Sequence, residues 1–160
     1  MRVAWLLALA VLSAPPAFAD ATADARGVAE AFQRAVAAGD ADAVVALYAD
    51  DARLVWPGRG QEARGREAIA ALVRRELPAM RAAKPVLVSL DATPLADGVI
   101  AVVGHWEHGA GNDRVAVRTS EVLVRRGGAW RYLVDHASIG VAPPAPNPRG
   151  RDDRRRRRGS

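Results

Sequence analysis

Asp135, His136 and Ser138 stand within four positions of one another, in the stretch GGAWRYLVDHAS (127–138). An acid, an imidazole and a hydroxyl are the residue types of a hydrolase triad, in which the carboxylate orients the imidazole and the imidazole activates the hydroxyl. The element that carries them decides whether they can cooperate. Gly127-Gly128 reads as a turn, and the residues after it read as a strand. Successive side chains of a strand point to opposite faces. Trp130, Tyr132, Val134, His136 and Ser138 then share one face, while Arg131, Leu133, Asp135, Ala137 and Ile139 share the other. Unless a β-bulge intervenes, Asp135 cannot orient His136. The expectation is His136 and Ser138 facing one cavity beside Tyr132. His136 then serves either as a hydrogen-bonding or proton-transfer group or as a satisfied histidine in a packed interior.

The other two histidines lie in HWEH (105–108). On a strand, His105 and Glu107 share a face and His108 takes the opposite one. With His136 they would make two histidines and one carboxylate, the ligand types of a facial metal site. The 115–126 strand lies between them, however, and two strand spacings are roughly 9.6 Å. No metal site is expected. Arg118 shares a face with Ser120, and Glu121 lies on the neighbouring one. An inward Arg118 would suit an anionic or carbonyl-bearing ligand, and an outward, solvated one is the default. Trp56, Trp106 and Trp130 read first as packing residues.

These groups need elements to hold them. Residues 22–38 carry Val28, Phe32, Ala35 and Val36 at helical spacing, and Gly39 ends that helix. Asp40 caps a second, shorter helix with Val44, Leu47 and Tyr48. A turn at Asp50-Asp51, a short strand through Leu54 to Trp56 and a Pro-Gly loop follow. A third helix is expected over about 65–82, kinked or divided at Pro78. Beyond Pro85 the pattern becomes that of four strands, 86–90, 99–108, 115–126 and 129–141, joined by short turns into an antiparallel meander. Helices first and strands later indicate an α+β fold.

Composition sets the surroundings. The chain has no cysteine, which removes thiol nucleophiles and thiolate metal sites. Residues 1–19 read as a cleaved secretory signal. Arg2 is its positive region, Val3 to Leu12 its apolar run, and Ala17-Phe18-Ala19 the cleavage site. Ten apolar residues are too few to span a bilayer as a helix. A periplasmic or secreted location in a GC-rich bacterium is expected. Residues 142–160 are Pro-rich and then Arg-rich and read as a disordered tail, leaving 20–141 as the domain. Most of the positive charge lies in that tail, since residues 20–148 hold 15 Lys+Arg against 16 Asp+Glu. The domain therefore lacks a nucleic-acid footprint. The run Arg154–Arg158 is either a solvated charge run or a weak contact for an anionic surface.

AAGDADAVVALYADDARLVWPG (37–58), GREAIAALV (65–73) and RRGGAWRYLVDHAS (125–138) resemble, in order and spacing, the SnoaL-like and ketosteroid-isomerase-like branch of the nuclear transport factor 2-like superfamily. The resemblance covers about residues 24–140. It implies a cone, in which a bent antiparallel sheet wraps one long helix and two more helices close the wide end, with a pocket between. It also implies a small, partly apolar ligand, homodimerisation through the outer sheet face, and no cofactor. Relatives include isomerases, cyclases and dehydratases as well as binding modules. In ketosteroid isomerase relatives a pocket tyrosine and carboxylates supply an oxyanion hole and a general base. Tyr48 is placed for that part, while Asp50 and Asp51 suit a turn. Glu107 and Glu121 are the strand carboxylates available, and neither lies in an isomerase motif. The candidate acid–base set is thus His136, Tyr48 and Glu107. The candidate ligand-binding set is Tyr48, Trp56, His105, Trp106, Arg118, Ser120, Tyr132, His136 and Ser138.

Overall fold

Helix α1 (Ala17–Ala38) buries Val28, Ala35 and Val36, as the helical spacing predicts. Gly39 ends it in a left-handed conformation, φ 72°, and the Gly39 and Asp40 amides return to the carbonyls of Val36 and Ala35. Asp40 then caps α2 (Ala41–Ala46), its carboxylate accepting the Ala43 amide at 2.9 Å. The computed structural model describes residues 17–57, 60–109, 111 and 114–140. The expected tail from residue 142 and all but the last three residues of the expected leader lie outside the described residues. Those three, Ala17 to Ala19, fall within α1. Among the described residues no helix is long and apolar enough to cross a membrane.

Strand β1 (Tyr48–Val55) starts six residues before the expected strand at Leu54, takes Tyr48 from the expected second helix, which ends at Ala46, and absorbs the expected Asp50-Asp51 turn. The turn survives as a break in pairing. Tyr48 opposes Tyr132, and the next matched pair is Arg53 with Val134. Asp50 and Asp51 project from this break into solvent and pair with Arg66 and Arg126. Strand β2 (Glu62–Arg64), read from the sequence as loop, pairs with β1. Helix α3 (Gly65–Ala83) is one element through Pro78, neither divided nor ended there. It buries Ile69, Leu72, Val73, Leu77 and Met80. Lys84, φ 48°, closes it just before Pro85.

Strands β3 (Val86–Ala96), β4 (Val99–His108), β5 (Val115–Arg126) and β6 (Ala129–Gly140) form the expected antiparallel meander. Gly127 and Gly128, φ 57° and 81°, make the tight β5–β6 turn, whose handedness matches strand twist. The sheet order is β2-β1-β6-β5-β4-β3, and β1 joins β6 in parallel, so the sheet is mixed. That join is sewn where α2 delivers the chain. The Tyr132 amide donates to the Leu47 carbonyl at 2.8 Å, and the Arg131 guanidinium donates to the Ala46 carbonyl. Helices α1 and α3 cover the inner sheet face, and Val36, Val44, Leu54, Ile69, Val73 and Leu123 are almost wholly buried between the layers. Each such aliphatic side chain contributes about 1.5–3 kcal/mol. The architecture is α+β, as expected.

Candidate functional site

Strand β6 does not alternate evenly. Val122 of β5 opposes Val134, and the next residue, Leu123, opposes Tyr132. Leu133 is therefore an extra residue, a β-bulge. It reverses the parity of everything after it relative to Tyr132. Asp135 and Ala137 turn inward with Tyr132, while His136 and Ser138 are exposed on the outer face. The expectation that His136 faces the cavity with Asp135 pointing away is thus inverted. The triad is still broken, because Asp135 and His136 remain on opposite sides of the sheet.

Between the inner sheet face, α1 and α3 lies a cavity of about 210 Å³. Its walls are aromatic and aliphatic, with Phe32, Tyr48, Leu54, Trp106, Val117 and Tyr132 among them. The more exposed lining residues, Trp56, Pro57, Glu76, Ala79, Ala83 and His108, surround its opening. The rings pack as one wall. Phe32 meets Trp106 and Tyr132 edge-on, at centroid distances of 6.0 and 6.5 Å, and Tyr48 lies 5.1 Å from Tyr132.

The polar centre of the cavity is Glu121 with Asp135. They oppose each other directly on β5 and β6, and are only 7% and 8% exposed. The Tyr48 hydroxyl donates to Asp135 Oδ2 at 2.6 Å. Burial pushes the Glu121 carboxyl up to about 8, and the neighbouring Asp135 charge adds to the effect. Burial likewise raises Asp135 to about 6, against the Tyr48 hydrogen bond and the nearby His136, which favour its anion. Tyr48 and Tyr132 are raised well above 10 by burial and by these carboxylates, and so stay protonated. At neutral pH the pair holds about one proton between two sites.

A second polar feature sits one row along the sheet. Gly104 opposes Thr119, and a Cβ on Gly104 would stand 2.4 Å from Thr119 Oγ1 and 2.9 Å from Trp106 Nε1. The missing side chain is what admits these two polar atoms. Both are buried without a well-formed hydrogen bond, although the Thr119 hydroxyl lies close enough to Glu121 to favour its anion somewhat.

The residues expected from the sequence divide between the two faces. Tyr48, Trp56, Trp106 and Tyr132 line the cavity. His105, Arg118, Ser120, His136 and Ser138 lie together on the outer face, where Arg118 stands between His105 and Ser138, and Ser120 opposes His136. The open choice between Arg118 and Glu121 is settled with Glu121 inward. Glu107 is also outside the cavity, held by Arg114 at 2.6 Å. Of the expected acid–base set, only Tyr48 reaches the cavity. Asp135 faces inward, against simple alternation, because the bulge at Leu133 leaves no mark in the sequence pattern. Among the described residues no group of three or more His, Asp or Glu side chains is arranged to hold a metal ion.

Comparison with solved structures returns the same architecture. An uncharacterised protein with a cystatin-like fold from Caulobacter vibrioides is 21% identical, with a TM-score of 0.67 over 87% of this chain and 99% of that one. An NTF2-like protein of unknown function from Pseudomonas putida KT2440 is 21% identical, with a TM-score of 0.65 over 79% and 91%. An NTF2-like protein with a cystatin-like fold from Novosphingobium aromaticivorans is 17% identical, with a TM-score of 0.63 over 79% and 86%. These likenesses are of fold. No curated protein sequence matches. The model of the SnoaL-like domain matches residues 26–142, from α1 to just beyond β6, and the chain belongs to the SnoaL-like family with its NTF2-like, cystatin-like fold.

Proposed function

We propose that this domain binds a small, partly apolar molecule in the cavity, with Glu121 and Asp135 meeting its polar end. The observation that carries this reading is the pair itself. Two carboxyl groups buried face to face cost folding energy, and apolar residues of similar volume would serve a purely packed interior better. Their placement in the wall of an open, aromatic-lined cavity supports a use in binding. The test is a fragment screen by ligand-observed NMR on the wild type and on Ala79→Trp. Ala79 is an exposed residue of α3 at the opening, so a Trp there obstructs entry without disturbing the interior. Hits lost in Ala79→Trp at unchanged melting temperature are expected. No hits, or hits indifferent to the substitution, would end the reading.

A second reading, general acid–base catalysis, is favoured by the split between the two carboxyls. Groups pushed to about 6 and about 8 give one base and one acid near neutral pH. Tyr48 positions Asp135 through its hydrogen bond. Deuterium exchange on a bound hit tests it: solvent exchange of a carbon-bound proton by the wild type and not by Glu121→Gln is expected. Equal exchange by both proteins would exclude it.

A further inference from the structure

The geometry points to a small organic cation, a protonated amine on an apolar ring or chain, as the occupant of this cavity, with its nitrogen against Glu121 and Asp135. This rests on the pocket reading above and names the class of ligand within it.

Charge is the first reason. Among the described residues, no Lys or Arg lines the cavity. The acidic side chains facing it are Glu121 from β5, Asp135 from β6 and Glu76 from α3. The remaining titratable groups are Tyr48 from β1, Tyr132 from β6 and His108 from β4, and α1 contributes Phe32. Burial lowers the His108 pKa and so favours the neutral ring. Glu76 at the opening is the one acid there with a cation of its own, Arg75 at 2.8 Å. Among the described residues, Glu121 and Asp135 have between them one close hydrogen bond, from Tyr48, and no cationic side chain inside the cavity; His136, which favours the Asp135 anion, lies on the outer face. At neutral pH the pair already carries about one negative charge, and an anionic ligand would add a second in a low-dielectric site. A cation would supply the missing partner.

The walls are the second reason. The faces of Phe, Tyr and Trp rings are electron-rich and attract a cation within about 6 Å. Phe32, Tyr48, Trp56, Trp106 and Tyr132 contribute five such rings. Size is the third. A dry cavity of about 150 Å³ takes benzene, so 210 Å³ suits a molecule on the order of ten heavy atoms.

A cation also leaves a thermodynamic mark. Next to the pair it favours both carboxylates, so a proton leaves Glu121 for the buffer as the ligand enters. A neutral ligand that accepts a hydrogen bond from the protonated carboxyl has the opposite effect and draws a proton in.

The test is calorimetry at pH 7 in phosphate and in Tris, whose ionisation heats differ, with 2-phenylethylamine, 2-phenylethanol and phenylacetate as probes. The amine is expected to bind at least about tenfold more tightly than the alcohol, with proton release, and phenylacetate is expected not to bind. Glu121→Gln should cut the amine preference to below about threefold. Should that variant fold poorly, the buffer dependence of the wild type decides alone. An alcohol binding as tightly as the amine, proton uptake on binding, or bound phenylacetate would overturn the inference. Neutral hits sensitive to Ala79→Trp, without amine binding, would reject the cation and leave the pocket. Absence of any such hit would reject both.

Discussion

Glu121 and Asp135 occupy directly opposed positions on β5 and β6, and both carboxyls turn into the cavity. Opposed positions on antiparallel strands bring Cβ atoms to about 4.5–5.5 Å. At that separation in a buried site the two groups cannot both ionise near neutral pH without cost. The Tyr48 hydroxyl assigns the first charge, because it donates to Asp135 alone.

This pair makes stability depend on pH. The folded pKa values, about 8 for Glu121 and about 6 for Asp135, lie above those of an unfolded chain, so the folded state binds more protons. The contribution is fully present below about pH 4 and is lost as pH rises through 6 and then 8. Glu121→Gln removes the larger share. We expect its melting temperature to exceed that of the wild type at pH 8.5 and to converge with it at pH 5. The loss in the wild type across this window is on the order of a few kcal/mol. A wild-type curve flat from pH 5 to 8.5 would contradict the shifts.

Tyr48→Phe deletes one hydroxyl and leaves the ring packed on Tyr132. A hydrogen bond to a charged group is worth about 1.5–3 kcal/mol. The substitution should therefore cost about 2 kcal/mol at pH 7.5, where Asp135 is ionised, and clearly less at pH 5. Chemical denaturation at both pH values measures this. An equal loss at both would mean that the hydroxyl serves packing and not the charge.

Gly104 is predicted to tolerate no side chain. Its Cβ would displace Thr119 Oγ1 and Trp106 Nε1, and overpacking of a strand-to-strand contact costs about 1–3 kcal/mol. Thr119→Val keeps the shape and removes a hydroxyl without a well-formed partner, so it should be neutral or stabilising. Melting curves of the two variants check both expectations. A strongly destabilised Thr119→Val would reveal a partner for that hydroxyl.

Regular periodicity made most of the fold legible. The stripes of α1 and α3, the Asp40 cap and the Gly127-Gly128 turn each follow local rules, and each stands where those rules put it. The parallel join of β1 to β6 was not legible, because it pairs residues some 80 positions apart and no local pattern marks it. Nor was β2, a three-residue strand whose pairing β1 supplies. At the site, Tyr48, Trp56, Trp106 and Tyr132 were legible as large aromatics near the ends or faces of elements. His136 and Asp135 exchanged sides through a single extra residue, Leu133. Alternation holds only while every residue pairs, and a bulge changes the count without changing the composition. The outward placement makes His136→Ala a surface change. Its expected effect is within about 0.5 kcal/mol in a denaturation experiment, and a loss above 2 would show that the ring is packed.

The titration of Glu121 and Asp135 themselves tests the site most directly. Carboxyl carbons of a ¹³C-labelled protein, followed by NMR from pH 3 to 10, report each group. Two well-separated steps shared by the pair are expected, near 6 and near 8. If both groups titrate near pH 4, as solvated carboxyls do, then they do not form a buried proton-holding pair, and the site described for them is wrong.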